Sequence, residues 1–501
     1  MKITFGQNAS ERAGGAAVVW DFDRTINPHG IVLGDSGAGK THMLKRMMRN
    51  MLDSSGGRVR IHVLDGHGDI SLPGESLVRF SETTDFGLNP FVVDPDPDFG
   101  GVYKRINSFI STVKRATGTL GSKQVYALRN LLLDLYAMHG FQADDPASWY
   151  VPRVSEDASV NGRLYLDVPF EEKDVAKAAG ASYDPQARAW WINEDQHKGR
   201  LLRWGVRQAG KRMPTLIDVL RFARKKQNAM FFATNTPTTH LLEDVNRRAR
   251  QLLAKEIAAS RRGSDAPDAE RLQKELDALK QKTIESFSEY VSAVRTGREL
   301  EDMLKYDSKE VMQSVVERLD NLLATGIFRS TAAPYEPRAA VWRRDISPFF
   351  ENLGVSRLFV DFELENLLGQ AVRRGVSDEI RDVVILDEAD RYTSDDPDHI
   401  INRIVKEARK YGLALIMASQ APTHFSEGML AGVAVRVVMA LDPTYYPVCK
   451  NKLAIDDASL ATIIPWQRCV VQMKNKGERM GRPAWVQLPN ERAAAPARAH
   501  A

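Results

Sequence analysis

The stretch GIVLGDSGAGKTHMLKRMM, Gly30 to Met48, constrains this chain more than any other. It fits G-x-x-x-x-G-K-[ST], with Gly34, Gly39, Lys40 and Thr41 at the required positions. A loop of this kind works only between a buried strand and the first turn of a helix. GIVLG is an apolar run ending in glycine. THMLKRMMRNML then sets Met43, Leu44, Met47, Met48 and Leu52 at helical spacing. RVRIHVLDGHGD predicts a second strand over Val59 to Leu64, closed by Asp65 and a glycine-rich turn. Strand, helix, strand in that order is a parallel crossover, so the spacing predicts an α/β fold around a mainly parallel sheet. The alternative is a chance match in an ordinary strand–helix turn, but the flanking runs supply the context that the motif needs.

In such a loop the backbone N–H groups of Asp35, Ser36, Gly37, Ala38 and Gly39 turn inward toward phosphate oxygens. The N-terminus of the following helix, with His42 in its first turn, adds partial positive charge. Lys40 is expected to reach the β- and γ-phosphates, and the Thr41 hydroxyl to ligate Mg²⁺. The expected ligands are therefore ATP and Mg²⁺.

DVVILDEAD, Asp382 to Asp390, reads as a fully buried strand ending in two carboxylates. Ligands of open α/β sheets bind at that end of the strands. Asp387 is assigned to Mg²⁺, and Glu388 to the proton of an attacking water. A base beside a metal favours hydrolysis over a kinase or a slow switch. The next strand, LALIMASQ, ends in Gln420, an amide able to bond a γ-phosphate or the lytic water; capping the strand is the other reading. Eleven residues earlier, VKEARKYGL places Arg409 on a helix among Lys406, Glu407 and Lys410. From spacing alone, an arginine acting on a neighbouring subunit's phosphate and a solvated helix face remain equally open.

Taken together, NPHGIVLGDSGAGKTHML, IHVLDGHGD, GLNPF, VVILDEAD and EARKYGLALIMASQAP resemble the HerA/FtsK superfamily of ring ATPases. The nearest branch is that of the VirB- and TraC-type conjugation ATPases and their HerA-like relatives. The matching pieces cover residues 18–140 and about 340–485. The resemblance implies a RecA-like P-loop core, a hexamer with ATP at subunit interfaces, Gln420 as polar sensor and Arg409 as trans arginine finger. Asp65 and His67-Gly68-Asp69 match the turn after the family's second strand, where a structural role is the expectation. His67 lacks the second His or Cys that a metal site would need. About thirty residues precede the loop, which implies that the N-terminal domain of relatives is absent or nearly so.

Residues 151–205 interrupt this pattern. RLYLDVPFEEKDVAKAAGASYDPQARAWWI predicts a strand, a short Ala-rich helix, a turn at Asp184-Pro185 and a strand carrying Trp190 and Trp191. Over about 163–193 it resembles a small domain of unknown function found in plasmid-borne primases. From Leu241 to Leu323 the chain is rich in Glu, Lys, Arg, Gln and Ala with partial heptads, which predicts a helical hairpin. The α/β signal resumes at RLFVDF. The expected organisation is a first core part at 1–150, the small inserted domain at 151–205, a mostly helical region at 206–340, a second core part at 341–488 and a disordered tail at 489–501.

Composition narrows the partners. With 69 Lys and Arg against 65 Asp and Glu, the net charge is +4, too little for a whole-molecule basic field. Locally, Lys198, Arg200, Arg203, Arg207, Lys211, Arg212, Arg221, Arg224, Lys225 and Lys226 surround Asp218, with Trp190, Trp191 and Trp204 beside them. That is a footprint for DNA backbone contact and base stacking, or a solvated face over a tryptophan core. The two cysteines, Cys449 and Cys469, have no metal spacing and suit a reducing cytoplasm. No run is long enough to span a bilayer, so peripheral attachment to the inner membrane is the most a membrane role allows. The expected function is a hexameric ATP-hydrolysing motor that translocates DNA in plasmid or integrative-element transfer, with a conjugation channel or a nuclease as partner. The alternative is a type IV secretion ATPase that drives assembly or protein export without touching DNA.

Overall fold

The apolar run ahead of the glycine-rich loop is a strand, Gly30–Leu33, buried at all four positions. The helix after the loop, α1 (Lys40–Ser55), lays Met43, Leu44, Met47, Met48 and Met51 on the same core. A computed structural model describes the chain apart from residues 10–14, 118–119, 152–162, 167, 169–171, 186–188, 194–195, 197–200, 202–203, 205–211, 235–236, 263–268, 294–304, 479–480, 482 and 490–501. The tail expectation therefore lies almost wholly outside the described residues.

In chain order the strands begin with β1 (Lys2–Asn8), β2 (Ala17–Asp21), β3 (Gly30–Leu33), β4 (Arg60–Asp65) and β5 (Ser76–Arg79). A separate small sheet holds β6 (Arg163–Leu166), β7 (Ser182–Asp184) and β8 (Ala189–Asn193). The large sheet resumes with β9 (Val341–Asp345), β10 (Ser377–Leu386), β11 (Tyr411–Ser419), β12 (Val435–Val438), β13 (Arg468–Met473) and β14 (Ala484–Gln487). Its order is β2-β1-β14-β13-β12-β3-β11-β10-β4-β9-β5. Every neighbouring pair from β12 to β5 is parallel. The β13, β14, β1 and β2 side is antiparallel. The parallel centre follows from composition: VVIL and LALIMA are apolar at consecutive positions, as strands covered on both faces must be.

Two elements differ from the sequence reading. RLFVDF is not a strand; it lies inside a helix, Leu353–Arg373. That helix buries Leu358, Phe359, Val360, Phe362 and Leu364 around nearly its whole circumference, so its apolar run has no helical period to detect. The strand in this region is VWRRD, where Arg343 and Arg344 are buried yet charged. Arg343 is ion-paired with Asp65 at 3.0 Å and Glu75 at 2.8 Å, and Arg344 with Glu363 at 2.5 Å.

Contacts divide the chain into two units. The first comprises residues 1–90, 111–119 and 322–501 and contains the large sheet. The second comprises 91–110 and 120–321. Within it the small sheet, in order β6-β8-β7, and the helix Lys173–Ala178 close over Leu166, Ala176, Ile192, Leu201 and Trp204. The helices Pro237–Arg262 and Ala269–Ala293 pair as a hairpin, bridged by Lys255–Glu275 and Lys280–Glu256, both 3.2 Å. Residues 102–138, grouped above with the first core part, form two helices that lie mostly in the second unit.

Candidate functional site

Four adjacent parallel strands, β3, β11, β10 and β4, end at one edge of the large sheet, and the predicted residues follow those ends. After β3 the chain turns through Gly34 to Gly39. The Gly34 N–H donates to the Ser419 carbonyl at 3.2 Å, tying the loop to the end of β11. Gly37 and Gly39 have φ of +78° and +97°, a region that glycine enters without strain. At Gly34 a methyl group would come within 2.9 Å of Met439 Cβ, so a side chain there would push the loop off its seat. Asp35 and Thr41 are half-buried, Ser36 and Gly37 exposed, Ala38 and Gly39 buried. The Lys40 ammonium is buried and donates to the carbonyls of Gly34 at 2.8 Å and Asp35 at 3.3 Å.

Beyond β10, Asp387 is 4% exposed, and its carboxyl is pushed up to about 6. Burial is the main cause; the nearby charges of Glu388 and Asp69 act in the same direction, while Lys40 opposes them. The Asp387 Oδ1 accepts the Glu388 N–H at 3.0 Å. Glu388 sits in the left-handed region, φ 47° and ψ 47°. Its carboxylate is approached from two strands. Gln420, after β11, brings its Nε2 to 3.4 and 3.5 Å. His67, after β4, brings its Nε2 to 3.6 Å and rests its ring 4.3 Å from that of Phe350. Ser419 turns away from this group toward His424 at 2.8 Å and Asp390 at 3.2 Å.

Asp65 is the anchor of the turn that carries His67. It is fully buried, accepts the Gly68 and Ile70 N–H groups at 2.7 and 2.9 Å, and pairs with Arg343. Its role is structural, whereas His67 and Asp69 on the same turn face the Asp387–Glu388 pair. Trp466, which no sequence motif marks, lies beside the loop: its ring centroid is 5.6 Å from that of His42.

Arg409 is placed differently. It is exposed and precedes Tyr411, at the opposite end of β11 from Gln420. Nine strand residues separate it from the glycine-loop edge, about 30 Å at 3.3 Å per residue. Its charge instead acts on buried His29, just ahead of β3. The loop, Asp387, Glu388 and Gln420 are thus brought together within one chain, and Arg409 is not.

The basic segment is only partly described. Lys198, Arg200, Arg203, Arg207 and Lys211 lie outside the described residues. Arg212 is paired with Asp218 at 2.7 Å and Arg224 with Asp320 at 2.6 Å. Trp204 is core, 3% exposed, and donates its indole N–H to Glu172 at 2.7 Å. Both cysteines are buried and unpaired, small apolar side chains in effect. Among the described residues no helix is long and apolar enough to cross a membrane.

The fold and the loop define a RecA-like P-loop core with an inserted small sheet and a helical hairpin. Among solved structures it is similar to VirB4 of Thermoanaerobacter pseudethanolicus, with a TM-score of 0.56 and 14% identity over 97% of this chain and 96% of that one. It also matches the plasmid coupling protein TrwB in complex with a non-hydrolysable ATP analogue, with a TM-score of 0.47 and 10% identity over 92% and 86% of the two chains. The likeness to VirB4 bears out the fold that the motifs imply. Residues 163–205 match a family model described as a domain of unknown function, DUF5710. Around that domain lie two matches to Escherichia coli proteins named DNA primase TraC, 40% identical over 53 residues and 31% over 87. The chain spans only 5% and 6% of their lengths.

Proposed function

We propose that this chain is a cytoplasmic, hexameric ATP-hydrolysing motor of the HerA/FtsK type that moves DNA in plasmid or integrative-element transfer. The observation that carries the reading is the carboxylate Glu388, seated beside buried Asp387 and between Gln420 and His67, at the sheet edge where the Lys40 loop begins. The residues suit ATP and Mg²⁺. The glycine loop presents N–H groups and an ammonium to an anion, and buried Asp387, crowded by two other carboxylates, is a donor that a divalent cation would relieve. ATP supplies the cleavable phosphoanhydride, and Mg²⁺ screens its charge. Lys40 and the loop N–H groups of residues 35–41 would hold the phosphates, while Thr41 and Asp387 would hold the metal. Glu388 would take the proton of the attacking water as its oxygen bonds the γ-phosphorus and ADP leaves, and Gln420 would bond that water or the γ-phosphate and so sense the hydrolysis.

The DNA part of the reading is supported by the DUF5710 segment, which the chain shares with proteins named as primases, and by the basic composition of the 198–226 stretch, of which Arg212 and Arg224 are already ion-paired within the chain. Full-length protein should hydrolyse ATP several-fold faster with DNA than without it, and the gain should shrink steeply as salt rises. ATP turnover indifferent to DNA at all salt concentrations would overturn translocation and leave the secretion ATPase as the reading.

A further inference from the structure

We infer that Trp466 is the platform on which the purine base of the nucleotide stacks, so that the base is held by an aromatic face and not by a hydrogen-bonding code. The inference rests on the nucleotide reading above and adds the recognition of the base to it. Trp466 lies in the tight turn between Ile464 and Arg468, closed by Arg468 N–H to Ile464 C=O at 2.8 Å and Ile464 N–H to Arg468 C=O at 3.2 Å. That turn leads into β13, whose neighbour β12 lies next to the loop strand β3.

Three independent features single the residue out. Its backbone has φ +65°, a region that bulky side chains avoid and that a glycine or asparagine would occupy at less cost. Its side chain is 48% exposed, although it is among the largest apolar groups in the chain. It also lies against the loop itself: a methyl group on Gly39 would sit 3.5 Å from Cδ2 and Cε3 of the indole, and the His42 ring centroid is 5.6 Å from that of the indole. Strain persists where the surroundings demand it, and a solvent-facing indole against a phosphate-binding loop is what a base requires. The phosphates occupy the N–H groups of residues 35–41, so the base leaves the loop beside Gly39 and His42. Stacking recognises the π-face that every base has, which predicts acceptance of both purines.

Calorimetric titration of the full chain tests this with three ligands: the non-hydrolysable analogue AMP-PNP with Mg²⁺, its guanine counterpart, and inorganic tripolyphosphate, which has no base. Trp466→Ala should weaken both nucleotide analogues about 10-fold, Trp466→Phe should recover most of that affinity, and tripolyphosphate should bind all three proteins alike. Unchanged analogue affinity in Trp466→Ala overturns the inference. Equal weakening of analogue and tripolyphosphate also overturns it, since the residue would then be shaping the loop. If the unmodified chain binds neither analogue nor tripolyphosphate, the nucleotide reading falls and this inference falls with it. A failure confined to the variants removes this inference alone.

Discussion

Glu388 holds a left-handed backbone conformation that costs a non-glycine residue about 1–3 kcal/mol. The cost is offset locally: its N–H is bonded to Asp387, and its carboxylate is faced by Gln420 and His67. An assigned base needs this fixing, because a carboxylate free to rotate presents its lone pair to water only part of the time. His67 is therefore a positioning residue in this reading, although its sequence context suggests only a turn. Its ring is braced on Phe350, whose face in turn carries Arg391 at 3.8 Å. His67→Ala should lower kcat for ATP about 10-fold with KM nearly unchanged, since a positioned base contributes on the order of 100-fold or more when intact. In a Glu388→Gln background the same change should cost nothing further. Steady-state kinetics on the four proteins decides this. A rise in KM alone, or full additivity with Glu388→Gln, would leave His67 as a fold residue.

Among the elements, legibility followed the range of the interactions. The loop strand, the VVIL strand and the LALIMA strand were readable because burial on both faces writes itself into consecutive apolar residues. The helix Leu353–Arg373 was not readable, since burial on all sides erases the helical period. Strand β9 was missed because its arginines are neutralised by Asp65, Glu75 and Glu363, partners that no local window contains. Long-range contacts likewise bury two imidazoles, one on a strand of the sheet and one just ahead of β3. His62 on β4 bonds Asp382 on β10 at 2.9 Å, with Arg344, Glu363 and Arg374 grouped around the pair. Its pKa is pushed down to about 4, mainly by burial, with Arg344 acting the same way and Asp382 opposing. His29 accepts the Leu415 N–H on Nδ1 and is pushed down to about 3 by burial and by Arg409. Both folded values lie below the ordinary value of about 6.5, so the unfolded chain binds protons first. Stability is then full above about pH 6.5 and falls as pH drops from there toward 4. Thermal unfolding at about pH 7.5, 6 and 5 should show Tm falling stepwise, with a shallower fall in His62→Gln. A flat Tm over that window would mean that these imidazoles are not held neutral.

At the scale of the whole molecule, the position of Arg409 decides how many chains a working site needs. Gln420 and Arg409 bracket the same strand, one at each end. A span of about 30 Å cannot be crossed by an arginine side chain, so Arg409 has no route to the loop of its own chain. The two bland and sharp readings of this residue then separate cleanly. A solvated helix face leaves each subunit self-sufficient, whereas a trans arginine makes every site the joint property of two subunits, the Lys40 loop of one and the Arg409 of the next. Lys40→Ala and Arg409→Ala should each abolish most ATP turnover when assembled alone. Mixed in equal amounts before assembly, half the loops and half the arginines are intact, and random neighbours restore both at roughly a quarter of interfaces. Activity of the mixture near that fraction, with ATP affinity of the Arg409→Ala protein unchanged, is the expected outcome. A mixture no more active than its components would return Arg409 to the solvated helix face. An Arg409→Ala protein with full activity would do the same.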